Sequence, residues 1–195
     1  MKSPFNFLVR LPKAFNDEIK LGEQSLYLDS KWNEFQNRKM EAEVHSVPAK
    51  YDTGVKPGDT LYFHHHVVIK GNGLGQVVDG DIYYVNYDPE NSRNTQAYAY
   101  KCQDTGEIKL LSEWIFLKPE EQEEEEVSDS GIILEIKKPE YNMYGYVLYD
   151  SEAVRELGLN VGDKVMIMKN ADYEMEIDGQ KVYRTHIDHI YATGF

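Results

Sequence analysis

Two stretches decide the reading of this chain: Val55-Lys56-Pro57-Gly58-Asp59-Thr60-Leu61-Tyr62-Phe63 and Asn160-Val161-Gly162-Asp163-Lys164-Val165-Met166-Ile167. In each, a Gly-Asp pair turns the backbone straight into an apolar run. Glycine reaches turn conformations that other residues resist, and aspartate hydrogen-bonds the backbone amides beside it. One such turn is common. Here other features recur around both turns, in the same order.

Upstream, Ala42-Glu43-Val44 is echoed by Gly145-Tyr146-Val147, each a short strand start. Further upstream, Phe7-Leu8-Val9-Arg10-Leu11-Pro12 and Trp114-Ile115-Phe116-Leu117-Lys118-Pro119 both read as strands stopped by proline. Between these lie Ser25-Leu26-Tyr27-Leu28 and Gly131-Ile132-Ile133-Leu134. Aligning Val9 with Ile115 brings Leu28 onto Leu134. Ordered recurrence of this kind is the mark of internal duplication. It divides the chain into domains 1–112 and 113–195.

Downstream the copies differ. The second reaches its last strand at Ile187-Asp188-His189-Ile190-Tyr191-Ala192, and the first is expected to reach its own at Leu111-Ser112-Glu113-Trp114-Ile115-Phe116. Trp114 to Leu117 then fits both the end of copy one and the start of copy two, and the sequence leaves both assignments open. The extra length of copy one, about 71–105, contains Gly71-Asn72-Gly73-Leu74-Gly75, a strand pattern over Asp81 to Tyr87 and a loop from Asp88 to Asn94. It predicts an added β-hairpin. Asp150 to Gly158 predicts a short helix, capped by Asp150 or Ser151 and stopped by Gly158.

Composition agrees with an all-β class. Hydrophobic residues make up 41% of 195, Tyr occurs 15 times, and long helical patterns are scarce. The net charge of -13 disfavours binding to a phosphate backbone. Glu120, Glu121, Glu123, Glu124, Glu125 and Glu126 concentrate that charge in a run that repels itself, predicting an exposed mobile loop over 119–131. Cys102 is the single cysteine, so no intrachain disulfide forms. No membrane span or signal peptide is legible, and a soluble cytoplasmic protein is expected.

The order of features resembles the GroES-like co-chaperonin family. Copy two carries the resemblance through Ser130-Gly131-Ile132-Ile133-Leu134, Gly145-Tyr146-Val147, Asn160 to Val165, Ile177 to Tyr183 and Ile187 to Ala192. Copy one matches through Leu26-Tyr27-Leu28 and Val55 to Asp59. The resemblance implies two tandem small β-barrels, the first with a hairpin insertion. It also implies a lid that caps a GroEL-type chaperonin ring around unfolded clients, assembles as a homo-oligomeric ring, and performs no chemistry. The tandem form is similar to chloroplast co-chaperonins, and the divergence of copy one suits a bacteriophage source. The implied chaperonin-binding residues are Gly131, Ile132, Ile133 and Leu134, with Leu26, Tyr27 and Leu28 in copy one. The alternative is an interaction or virion-associated assembly protein that kept the fold without the chaperonin.

Other motifs are weaker. His64-His65-His66 would place His64 and His66 on one strand face, with His45 as a third ligand, but no Cys cluster or acidic triad accompanies them. No metal or cofactor is assigned. Gly71 to Gly75 lacks the helix and Lys of a phosphate loop. His186 and His189 have no nucleophile or paired carboxylate in sequence, so no enzyme activity is expected.

Overall fold

A computed structural model describes residues 1–16, 37–69, 76–120 and 143–194, and the backbone alone of Glu18–Leu21 and Gln24–Tyr27. It forms two compact units, Met1–Glu113 and Trp114–Phe195. Each contains one large antiparallel sheet, and the first also a two-stranded one.

The first unit contains β1 (Phe7–Arg10), β2 (Glu18–Leu21), β3 (Gln24–Tyr27), β4 (Glu41–Ser46), β5 (Thr60–Phe63), β6 (Val77–Asp79), β7 (Ile82–Val85), β8 (Ala97–Lys101) and β9 (Ile108–Leu110). The second contains β10 (Trp114–Pro119), β11 (Tyr144–Val147), the helix α1 (Glu152–Glu156), β12 (Lys164–Ile167), β13 (Tyr173–Ile177), β14 (Gln180–His186) and β15 (Ile190–Thr193). The first sheet runs β6-β7-β1-β4-β5-β8-β9 and the second β13-β14-β10-β11-β12-β15. Apart from β9, the two orders are the same, strand for strand. Among the described residues, β2 and β3 pair only with each other.

The Gly-Asp turns match bond for bond. Gly58 N–H donates to Val44 O at 2.9 Å and Gly162 N–H to Val147 O at 2.8 Å. Val44 N–H donates to Asp59 O at 2.8 Å and Val147 N–H to Asp163 O at 3.0 Å. Each carboxylate then accepts a turn amide at 2.8 Å, Asp59 from Lys56 and Asp163 from Asn160. The glycines sit at φ +95 and +93, a region closed to ordinary side chains. Four residues upstream, Gly54 and Gly158 both have φ +70, each followed by a buried aliphatic, Val55 and Leu159.

Packing follows the strand period. In β4, Ala42, Val44 and Ser46 are buried while Glu41 and Glu43 are exposed; in β12, Val165 and Ile167 are buried. Phe7, Val9, Val44, Leu61, Phe63 and Val85 form the core of the first unit. In the second, Ile115, Leu117, Val147, Val154, Val165 and Ile177 are buried. The predicted helix is present as α1: Ser151 Oγ accepts Val154 N–H at 3.2 Å.

Several expectations are corrected. No pairing among the described residues joins the end strands of either sheet, so these are open sheets rather than closed barrels. The hairpin β6–β7 is not an addition, because it holds the place in its sheet that β13–β14 holds in the other. The added strand is β9, beyond the expected insertion. Copy one ends its shared topology at β8, not at Leu111 to Phe116, and β10 pairs only with β11 and β14 of the second sheet. Pairing also aligns Val9 with Leu117 rather than Ile115: Val9 lies opposite Val44 and Leu117 opposite Val147. A shift of two residues preserves the buried face, so the hydrophobic pattern could not detect it. Finally, residues Ile187–His189 form a 3-10 turn, and the last strand starts at Ile190.

Asp59 is 3% exposed and accepts a second amide, Gln103 N–H, at 2.9 Å; Asp163 shows no equivalent bond. Asp59→Ala is therefore expected to destabilise the first unit by about 2–3 kcal/mol and Asp163→Ala the second by about 1 kcal/mol. Urea midpoints measure both, and a smaller loss for Asp59→Ala would contradict the assignment.

Candidate docking site

The long span between the first two main strands of each unit is where sequence places the docking residues. The ends of that span are held together in both units. In the first, Lys39 N–H donates to Ala14 O at 3.0 Å and Asn16 N–H to Asn37 O at 2.6 Å, around a bridge between Phe15 and Arg38. In the second, Glu120 N–H donates to Tyr144 O at 3.4 Å, next to the pairing of Pro119 with Gly145. Gly145 is required there, since a Cβ would lie 2.8 Å from Leu117 Cβ and 3.1 Å from Lys118 O.

In the second unit a polar clamp reinforces this base. Glu120 Oε1 accepts from Lys164 Nζ at 2.6 Å and from Tyr146 Oη at 3.2 Å. The Lys164 ammonium also lies 4.8 Å from the Tyr144 ring centre. The strands set this up: Tyr146 lies opposite Lys118 on one side and Lys164 on the other. Lys118, Pro119, Glu120 and Tyr146 line a recess of about 300 Å³.

Sequence counted Glu120 as one of six solvated glutamates. Nothing in a run of like charges marks its first member as paired. The usable signal is cross-strand: once Tyr146 and Lys164 are placed on adjacent strands, both reach the end of β10.

Gly131, Ile132, Ile133, Leu134 and Leu28 lie outside the described residues, as does most of the acidic stretch 119–131. Leu26 and Tyr27 belong to β3, where Leu26 pairs with Ile19 and Tyr27 with Glu18. They are strand residues of a hairpin.

The histidine run sits differently from its expected strand face. β5 ends at Phe63, and His65–Val67 form a 3-10 turn. His64 Nδ1 accepts His66 N–H at 3.0 Å and so caps that turn. The His64 and His65 rings stack at 4.3 Å with 28° between planes. The three imidazoles offer donor atoms within 4.8 Å of one another, and His45 is not among them. His66 lies edge-on to both other rings, and the Nδ1 of His64 is already in use as the cap of the turn.

The hydrogen bond from Lys164 holds the Glu120 carboxyl below the usual carboxylate range, and the same bond raises Lys164. The depressed Glu120 contributes stability above the ordinary carboxylate pKa, lost as pH falls through its folded value. The raised Lys164 contributes stability below the ordinary lysine pKa, lost as pH rises through its folded value. The clamp is thus closed through neutral pH and opens at both extremes. Carboxyl NMR should find Glu120 titrating below an exposed glutamate in the wild type and returning to the ordinary range in Lys164→Met. Ordinary titration in the wild type would show that the clamp does not form.

Residues 107–193 match the sequence pattern of the family Cpn10, Chaperonin 10 Kd subunit, over just under half the chain. The match opens at β9 and runs through β15. No curated protein matches the chain. Over these residues the C-terminal part of the chain is similar to a GroES-like domain.

Proposed function

We propose that the whole chain is a tandem co-chaperonin, with two GroES-like units that together cap a chaperonin ring and assist ATP-dependent folding of clients held beneath it. The observation that carries this reading is the shared strand order of the two units, joined by matching Gly-Asp turns, with the family match falling on the second. The first unit is a diverged copy of the second. The ATPase belongs to the chaperonin, and this chain contributes binding and closure.

Docking falls to Gly131, Ile132, Ile133 and Leu134, helped by Leu26, Tyr27 and Leu28. Burying an aliphatic side chain contributes about 1.5–3 kcal/mol, less the cost of ordering the segment that carries it. A single tip is therefore a weak ligand. A homo-oligomeric ring presenting several tips binds strongly through avidity while each contact stays releasable.

Co-sedimentation with a GroEL-type ring in the presence and absence of ATP tests the proposal. Nucleotide-dependent capture is expected for the wild type, falling by more than about tenfold for Ile132→Asp/Ile133→Asp, since losing two buried aliphatics exceeds 1.4 kcal/mol. Equal capture of the two proteins would remove the docking assignment. Absence of capture for the wild type would favour the assembly-protein alternative.

A further inference from the structure

The first unit has an open recess of about 470 Å³ whose lining includes Gln76, Asn86, Asn94 and Gln96, with Tyr84 and His66. Among the described residues, no Lys, Arg, Asp or Glu lines it. Three of the amides, those of Gln76, Asn86 and Gln96, are held in place. Gln76 Nε2 donates to Tyr84 O at 3.0 Å and to Gln96 Oε1 at 2.8 Å. Gln96 Oε1 also accepts Asn86 N–H at 3.3 Å, and Asn86 Nδ2 donates to Asn94 O at 2.8 Å. Gln76 is only 9% exposed. These bonds leave Gln76 Oε1, Asn86 Oδ1, Gln96 Nε2 and the Asn94 side-chain amide without a partner among the described residues. A set of neutral donors and acceptors, three of its four amides held by hydrogen bonds, therefore remains for a ligand.

The duplicate unit gives the comparison that makes this recess informative. His64 N–H donates to Gln96 O at 2.9 Å, as Met168 N–H donates to His189 O at 2.9 Å, so Gln96 corresponds to His189. Tyr84 pairs with Leu8 as Arg184 pairs with Phe116, so Tyr84 corresponds to Arg184 and Asn86 to His186. In the second unit these places hold a ring stack. Arg184 lies 4.2 Å from the Trp114 ring centre and 4.3 Å from that of Tyr173. His186 packs on Trp114 at 5.0 Å and on His189 at 6.1 Å. One fold position is filled by aromatic and guanidinium planes in one copy and left open, lined by amides, in the other.

We propose that this recess is a binding site for a neutral saccharide. Each sugar hydroxyl both donates and accepts, which suits side-chain amides that present both functions at fixed spacing. Tyr84, 38% exposed, offers a ring face for the apolar C–H side of a pyranose. Anionic ligands meet no Lys or Arg among the described lining residues and face a chain of net charge -13. The volume lies within the range of about 300–1,000 Å³ of small-ligand sites. The proposal is independent of chaperonin docking, because none of these residues belongs to the docking segments.

The test is an amide-resolved NMR titration of the full chain with the methyl glycosides of glucose, mannose, galactose and N-acetylglucosamine, and with adenosine as a non-sugar comparator. At least one glycoside should shift the Asn86, Asn94 and Gln96 side-chain amides saturably. Asn94→Ala removes one exposed amide, and Asn86→His installs the residue of the second unit. Each should weaken binding about tenfold, the 1.4 kcal/mol of one well-placed hydrogen bond. Failure of every glycoside to shift these amides, unchanged affinity in Asn94→Ala, or tighter binding of adenosine than of any glycoside would each overturn the assignment.

Discussion

In both units the chain arrives at the second half of its sheet through an aspartate carboxylate that accepts an amide of its own turn. The preceding glycine at positive φ aims its N–H back at the neighbouring strand, to Val44 O in one unit and Val147 O in the other. This double attachment does more than close a turn. It fixes which residue of β4 faces which residue of β5, and likewise for β11 and β12. In an antiparallel sheet one such register propagates to every strand added outside it, because a slip by one residue would turn the buried face outward. β8 on β5, and β15 on β12, inherit their registers from it.

The copies diverge from this common constraint in a way that has a physical cause. Asp59 uses its second oxygen to hold Gln103 N–H, just after β8, whereas Asp163 is half-exposed at the corresponding place. Holding Gln103 stabilises the turn that brings β9 back along β8, where Cys102 N–H meets Glu107 O at 2.9 Å. The extra strand of the first sheet is thus tied to a carboxylate oxygen that the second unit leaves near solvent. The second unit instead places polar contacts at the start of β12, right after its own turn, in the Glu120, Tyr146 and Lys164 clamp.

Sequence made the duplication legible because its signals are local: glycine at forbidden φ, aspartate next to it, apolar runs of period two. It identified Val44 with Val147 and Asp59 with Asp163, which share their hydrogen bonds. It failed where the information is non-local. The hairpin β6–β7 looked like an insertion because Val77 to Val85 and Tyr173 to His186 share little pattern, although their places in the sheets coincide. The run of residues from Leu111 to Phe116 looked like a closing strand because its apolar character is real, yet Leu111 is buried in the first unit while Trp114 opens a strand of the second. The histidine run looked like one strand face because the break of β5 at Phe63 has no Gly or Pro to announce it. Of the candidate docking residues, only the backbone of Leu26 and Tyr27 falls on described structure, so the clamp at Glu120 had to be found from pairing.

The pinned ends bear on how the two proposed docking spans of one chain would share their work. The residues between the pinned ends number 20 in the first unit (17–36) and 23 in the second (121–143). Loop-closure entropy grows as the logarithm of length, so this difference is worth only about 0.1 kcal/mol. Length therefore cannot make one span a stronger ligand than the other. Chemistry can: the second span offers Ile132, Ile133 and Leu134 in succession, whereas the first offers Leu26, Tyr27 and Leu28 with two of them committed to a strand ladder. A backbone already paired in β3 loses less freedom on binding, but presents only alternate side chains to one face. Under the proposed function the two units bring to a common partner a sequence with consecutive aliphatics and one with a preformed edge, and the difference between them lies in side-chain chemistry rather than in reach.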